Sequence, residues 1–160
     1  MPSKPMINRA KRGPYDELWT PNEALDYLVP YIQYPYHIWE PCPGNGAIVR
    51  YFGESNTVAT ETDFFDTDWP NHADMIVTNP PFSKKVDWIR RCCVLGRPFA
   101  LLLPVTTLGV RAAQEYLSDA EIVFLPRRID FTGKKAPWFA VAWFTKGLNI
   151  GKQINFAPIC

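Results

Sequence analysis

A chain of 160 residues with a formal net charge of +1 is sized for one domain with a genuine core, and its total charge singles out no partner. Hydrophobic residues make up 47% and charged residues 21%, which excludes a disordered chain. No apolar run approaches bilayer length, and Met1–Arg12 lacks the apolar centre of a signal peptide, so the expectation is a soluble cytoplasmic protein with no membrane partner.

The first dozen residues carry Lys4, Arg9, Lys11 and Arg12 with no acid before Asp16, a basic arm bounded at residues 1–18. Thr20-Pro21-Asn22-Glu23 reads as a capping box with proline at the first helical position, and Leu25, Leu28, Val29 and Ile32 recur on one face of the helix it opens. A strand is predicted at Tyr36–Glu40, ended by Pro41-Cys42-Pro43-Gly44-Asn45-Gly46, and then a short helix at Ala47–Phe52 closed by Gly53. Further strands are predicted at Thr57–Glu61 and Ala73–Thr78, the latter leading into Asn79-Pro80-Pro81-Phe82. Ser83 caps a helix running to Leu95 and stopped by Gly96, with Val86, Ile89 and Cys93 facing the core. Pro98–Leu103 is near-continuously apolar, as buried parallel strands are. Thr107–Leu117 reads as helix and Glu121–Leu125 as strand. Trp138–Phe144 reads as the last strand, after a basic loop containing Thr132-Gly133-Lys134-Lys135.

Strands alternating with helices at this spacing predict a doubly wound α/β sheet. The last two strands have no helix between them and should pair antiparallel. Trp138, Phe139, Trp143 and Phe144 read as core and sheet packing, and residues 147–160 as a tail across an edge. Sixteen prolines, about twice average usage, fall mostly at element boundaries and predict short, rigid connections. Of the four cysteines, Cys92 and Cys93 are adjacent, Cys42 lies in the glycine turn and Cys160 is last. That is neither a zinc pattern nor a disulfide framework, and no metal is expected.

The chemistry concentrates where strands end. Two consecutive prolines remove two N–H donors and fix two φ angles, so Asn79 and Phe82 are held stiffly at the carboxyl end of a strand. That is where open α/β sheets place their ligands. A carboxamide beside a flat apolar ring suits a planar group bearing an amine. Gly44 and Gly46 allow close backbone approach to a ligand. Glu40, ending its strand, would repel phosphates and attract a cation or an ammonium group. Glu61 stands 21 positions later, near the spacing at which an acid meets ribose hydroxyls in dinucleotide folds. These acids, with no Walker lysine, describe an adenosine ligand carrying an amino-acid head.

Glu40-Pro41-x-x-Gly44-x-Gly46, then Glu61, then Asn79-Pro80-Pro81-Phe82 resembles the S-adenosyl-L-methionine-dependent class I methyltransferases of exocyclic amines, above all the adenine-N6 DNA methyltransferases. The resemblance runs from about Trp19 to Phe144 and bounds a domain at residues 19–146. It implies a three-layer Rossmann-like sheet, mostly parallel with a C-terminal antiparallel strand. It further implies that Trp19-Thr20-Pro21 closes over the methionine part of the cofactor, and that Glu40, Pro41, Cys42, Gly44 and Gly46 form the main cofactor loop. Glu61 would meet the ribose, and Asp63 with Phe64 the adenine. Asn79 and the Pro80 carbonyl would accept the two N6 hydrogens, while Phe82 stacks on a base extruded from the duplex. No further base is needed, which leaves His37 and His72 as surface or interfacial residues.

Two departures stand out. Only about a dozen residues separate Glu61 from the strand at Ala73, so the family's usual third strand must be reduced or missing, which weakens the assignment of Asp63. No segment matches a separate target-recognition domain, so base-sequence reading would come from loops, from a specificity-giving protein partner, or not at all. Lys84, Lys85, Arg90 and Arg91 follow the catalytic loop, and Arg127, Arg128, Lys134 and Lys135 lie near the end. Lysines in the first turn of a helix oppose its dipole, which favours phosphate contact for Lys84 and Lys85. The nucleic-acid set is therefore Lys84, Lys85, Arg127, Arg128, Lys134 and Lys135. The same tetrapeptide also suits methylation of RNA bases or of protein glutamine amides. A non-catalytic cofactor-binding or assembly module of the same fold is a further alternative.

Overall fold

The computed structural model describes residues 16–33 and 35–156, and of Asn155 and Phe156 the backbone alone. The basic arm's Lys4, Arg9, Lys11 and Arg12, and the terminal Cys160, lie outside the described residues. The strands are β1 (Ile38–Glu40), β2 (Thr57–Ala59), β3 (Met75–Thr78), β4 (Phe99–Pro104), β5 (Glu121–Phe124), β6 (Val141–Lys146) and β7 (Ile154–Phe156). The α-helices are α1 (Asn22–Asp26), α2 (Ala47–Phe52), α3 (Lys85–Leu95) and α4 (Arg111–Leu117).

All seven strands form one sheet in the order β2-β1-β3-β4-β6-β5-β7. β2, β1, β3 and β4 run parallel, whereas β6 is antiparallel to both β4 and β5. The α/β fold expected from the sequence is the one observed. Because β–helix–β crossovers are right-handed, the step from β1 to β2 and the opposite step from β3 to β4 place α2 and α3 on opposite faces. α1 packs with α2 and α4 with α3, completing three layers. The chain reverses its winding between β1 and β3, so their carboxyl ends open a crevice. β3 and β4 are buried throughout, which is why their sequences are continuous apolar runs.

Several boundaries differ from the sequence expectation. The capping box at Thr20 does not form: Pro21 is the N-cap, in extended backbone, with no side-chain cap bond. Glu23 instead accepts from the Arg127 guanidinium at 2.8 and 3.0 Å. α1 ends at Asp26 and a 3-10 turn follows at Val29–Tyr31, where Pro30 has no N–H with which to continue an α-helical ladder. Ser83 lies in a 3-10 turn and caps nothing, so α3 begins at Lys85. Thr107 likewise falls in a 3-10 turn, Val105–Gly109, and α4 starts only at Arg111. Trp138 and Phe139 precede β6, whose pairing with β4 ends at Pro104 opposite Val141. Trp143 and Phe144 are fully buried and Phe139 is buried, but Trp138 is exposed. Within residues 147–160, β7 adds a parallel edge strand beside β5.

No strand forms between Ala59 and Met75. Aromatic rings fill that flank: Phe64 stacks on Trp88 at 4.1 Å, and Trp39 meets Phe64 and Trp69 at 5.5 and 5.3 Å. On the other flank, the buried indole of Trp143 donates to the Ala24 carbonyl at 2.7 Å, tying β6 to α1. Replacing Trp143 with Phe leaves that contact unmade and the core underfilled. The variant should lose about 2–4 kcal/mol of stability in urea denaturation while keeping its far-UV circular dichroism.

Candidate active site

Pro41 and Pro43 stiffen the turn that leaves β1, and Gly44 and Gly46 supply its left-handed residues, with φ of 52° and 77°. At Gly44 a side chain is excluded twice over. The backbone is left-handed, and a Cβ would lie 2.7 Å from the Trp19 ring. Trp19 therefore lies directly on the glycine loop, with 47% of its surface exposed. Trp19, Pro41, Pro43 and Gly44 are part of the wall of a cleft of about 730 Å3 at the carboxyl ends of β1 and β3. That volume is within the range of pockets for small organic ligands.

Glu40 ends β1 at the base of this cleft with 1% of its surface exposed. Its Oε1 accepts from the Cys42 backbone N–H at 2.8 Å and from the Thr78 hydroxyl at 2.6 Å; Oε2 takes part in neither bond. Burial pushes the Glu40 pKa up to about 8, and the two hydrogen bonds only partly offset that rise. A cation beside the free edge of this carboxyl would restore its charge.

β3 delivers Asn79 and Pro81 to the opposite wall. The Asn79 amide donates through Nδ2 to the Leu18 carbonyl at 2.8 Å. Asp16 holds the same loop one turn later: its carboxylate accepts from the Ser83 N–H at 2.9 Å and from the Ser83 hydroxyl at 2.5 Å. Residues 16–20 thus cross both loops and form one side of the cleft. Pro80 is buried and does not line the cleft. Phe82 is buried as well, with its ring 5.8 Å from Phe139 and nearly perpendicular to it, outside the wall.

The remaining expected residues divide similarly. Thr20, Pro41, Cys42, Glu61, Asp63, Phe64 and Lys84 line the cleft, whereas Pro21, Gly46 and Lys85 do not. Glu61 is exposed there. The Asp63 carboxylate accepts from the Phe65 N–H at 3.0 Å, and this presents Phe65 to the cleft beside Phe64. Phe64 itself is 2% exposed, because its ring is committed to Trp88. Arg127 is paired with Glu23 and Arg90 with Asp87, while Arg128 donates to the Pro137 and Trp138 carbonyls. Lys134 and Lys135 are exposed, and both their backbone N–H groups face the Thr132 hydroxyl. His37 pairs with Asp74 and, like His72, lies away from the cleft. Among the described residues no group of three or more His, Cys, Asp or Glu gathers as a metal site, and no helix is long and apolar enough to cross a membrane.

Sequence reasoning missed Asp16, Leu18, Thr78, Ser83 and Trp88. Leu18 acts through its carbonyl and carries no side-chain signal. Thr78 had one: a hydroxyl in an otherwise apolar strand, immediately before Asn79.

No protein-family model matches the chain, and no curated protein matches it in sequence. Similar structures exist. The 23S rRNA methyltransferase ErmE superposes with a TM-score of 0.58 at 13% identity, over 79% of this chain and 68% of that one. A protein described as a modification subunit of a type I restriction enzyme from Vibrio vulnificus YJ016 superposes with a TM-score of 0.53 at 13% identity. This match covers 83% of this chain, which spans only 45% of the Vibrio protein. At such identity the likeness is one of fold alone.

The buried carboxyl predicts a pH dependence. Between its usual value of 4.5 and the folded value of about 8, Glu40 keeps a proton in the folded chain that the unfolded chain has lost. Stability should therefore fall as pH rises through that window, by up to about 1.4 kcal/mol per pH unit from this group. Urea denaturation of Glu40→Gln across the same window should lack that component of the slope.

Proposed function

We propose that this chain is an S-adenosyl-L-methionine-dependent methyltransferase acting on an exocyclic amine, with adenine N6 of DNA as its substrate. The fixed orientation of Asn79 carries the reading. A carbonyl only accepts hydrogen bonds, so the bond from Nδ2 to Leu18 turns Oδ1 the other way, as an acceptor for a substrate N–H. An amide held by one end beside two prolines has little reason to exist in a wall without chemistry.

The residues present fit the cofactor. Gly44, lacking a side chain, lets the Trp19 ring lie on the loop as a wall of the cleft, and Glu40 is a buried carboxyl whose charge a cationic ligand would stabilise. Trp19, Thr20 and Pro21 would close on the methionine part. Glu40, Pro41, Cys42, Gly44 and Gly46 would form the loop beneath it, Glu61 would meet the ribose, and Asp63 with Phe64 the adenine. Bound there, the sulfonium supplies an already activated methyl group, so the chain contributes positioning and electrostatics.

An exocyclic amine has its lone pair delocalised into the ring and is a poor nucleophile. Oδ1 of Asn79 and the Pro80 carbonyl would accept its two hydrogens, favour a pyramidal nitrogen and stabilise the positive charge that nitrogen gains with the methyl group, the surplus proton then passing to solvent. The base, extruded from a duplex, would lie against Pro81 with Phe82 behind it. Lys84, exposed in the cleft wall at the foot of α3, would meet a phosphate, supported by Lys85 and by Arg127, Arg128, Lys134 and Lys135. A protein partner would supply sequence selection.

Radiolabelled cofactor offered in parallel to duplex DNA, single-stranded DNA, RNA and protein extract should label DNA at adenine; label confined to RNA or protein would overturn the substrate. Asn79→Ala should lower kcat by about 100-fold or more with cofactor binding retained. Glu61→Ala should weaken cofactor binding by about 1.5–3 kcal/mol in calorimetric titration, and an unchanged titration would remove Glu61 from the ribose.

A further inference from the structure

We infer that Trp138 is a stacking platform for a nucleobase of the bound strand, outside the cleft and one ring removed from the catalytic loop. This rests on nucleic acid as the substrate class proposed above.

Trp138 leaves 71% of its surface exposed. A single exposed apolar side chain is ordinary: Val94, equally exposed, projects from α3 and demands nothing. Trp138 differs in how it is held. Its own carbonyl and that of Pro137 accept from Nη1 of Arg128, at 3.5 and 3.2 Å. Pro137 fixes the backbone on its N-terminal side. Its ring stands 5.5 Å from Phe139 at 89°. Phe139 is buried and meets Phe82 at 5.8 Å and 76°, and Phe82 directly follows Pro81 of the cleft wall. Three aromatic rings therefore lead from the Asn-Pro-Pro loop to the surface, and only the outermost faces solvent. Through these contacts Arg128 also braces the loop that carries Trp138.

The surroundings suit a nucleic-acid strand better than an apolar partner. Lys134 and Lys135 are exposed a few residues earlier on the same loop. A rigid aromatic face beside cations is the combination by which proteins bind unstacked bases with little sequence preference. Withdrawing one adenine into a cleft exposes the faces of its neighbours. Trp138 would cover one such face and offset part of the lost stacking.

The test uses the full chain with adenine-containing single-stranded DNA, duplex DNA and matching RNA oligonucleotides, each measured over a series of salt concentrations. Trp138→Ala should weaken affinity about 5- to 100-fold in the arms that the parent chain binds. Trp138→Phe should recover most of it, and Trp138→Leu should not. The slope of affinity against salt should be unchanged, because no phosphate contact is removed. Cofactor affinity and Tm should match the parent, since the residue is exposed. Parent-like affinity of Trp138→Ala, equal behaviour of the Phe and Leu variants, or a flattened salt slope would overturn the stacking role alone. A parent chain that binds none of the oligonucleotides would overturn both the nucleic-acid substrate and this platform.

Discussion

A carboxyl group buried at the end of a strand needs donors within reach, and the site is organised around the one that β3 provides. Glu40 ends β1 and Thr78 ends β3, and these strands are parallel neighbours with Trp39 opposite Ile76. Their hydrogen bond at 2.6 Å joins the glycine loop after β1 to the Asn-Pro-Pro loop after β3. The two halves of the site are thus one bonded unit, not two loops that happen to meet. The winding reversal supplies the space above them, since neither crossover helix covers the carboxyl ends at that point.

Rigidity comes from outside the sheet as well. The segment at 16–20 gives Asn79 a carbonyl, gives Ser83 a carboxylate, and lays the Trp19 ring on Gly44. Each contact addresses a different part of the cleft, so one short strap registers the glycine loop against the Asn-Pro-Pro loop. Two prolines alone stiffen the Asn-Pro-Pro turn but do not decide which end of the amide faces the cleft. The Leu18 carbonyl decides it.

The missing strand has a similar logic. Fewer than two dozen residues connect β2 to β3, too few for a strand and a crossover helix. Trp39, Phe64, Trp69 and Trp88 pack face and edge across the flank that such a unit would have covered. Phe64 pays for this by leaving the cleft surface largely to Phe65, which the Asp63 side chain holds in place.

The sequence by itself determined the alternation of elements, the strand ends at Glu40 and Thr78, and the two loops that meet at the cleft, but not that Gly46, Pro80 and Phe82 stand outside its wall. Those follow from local rules: apolar runs stop where proline and glycine remove donors or demand positive φ. Tertiary structure alone decided the rest. Thr20 and Ser83 have the chemistry of helix caps. Yet Thr20 is buried in a strap over the cleft and Ser83 is bonded to Asp16, so neither is left to cap. Arg127 and Arg90 read as free cations until Glu23 and Asp87 are brought beside them. Trp138 has the same propensity to be buried as Trp143, but β4 ends opposite Val141, so only the latter gains a partner strand. Propensity is a property of the residue, whereas partnership depends on which distant segment the fold brings within hydrogen-bonding distance.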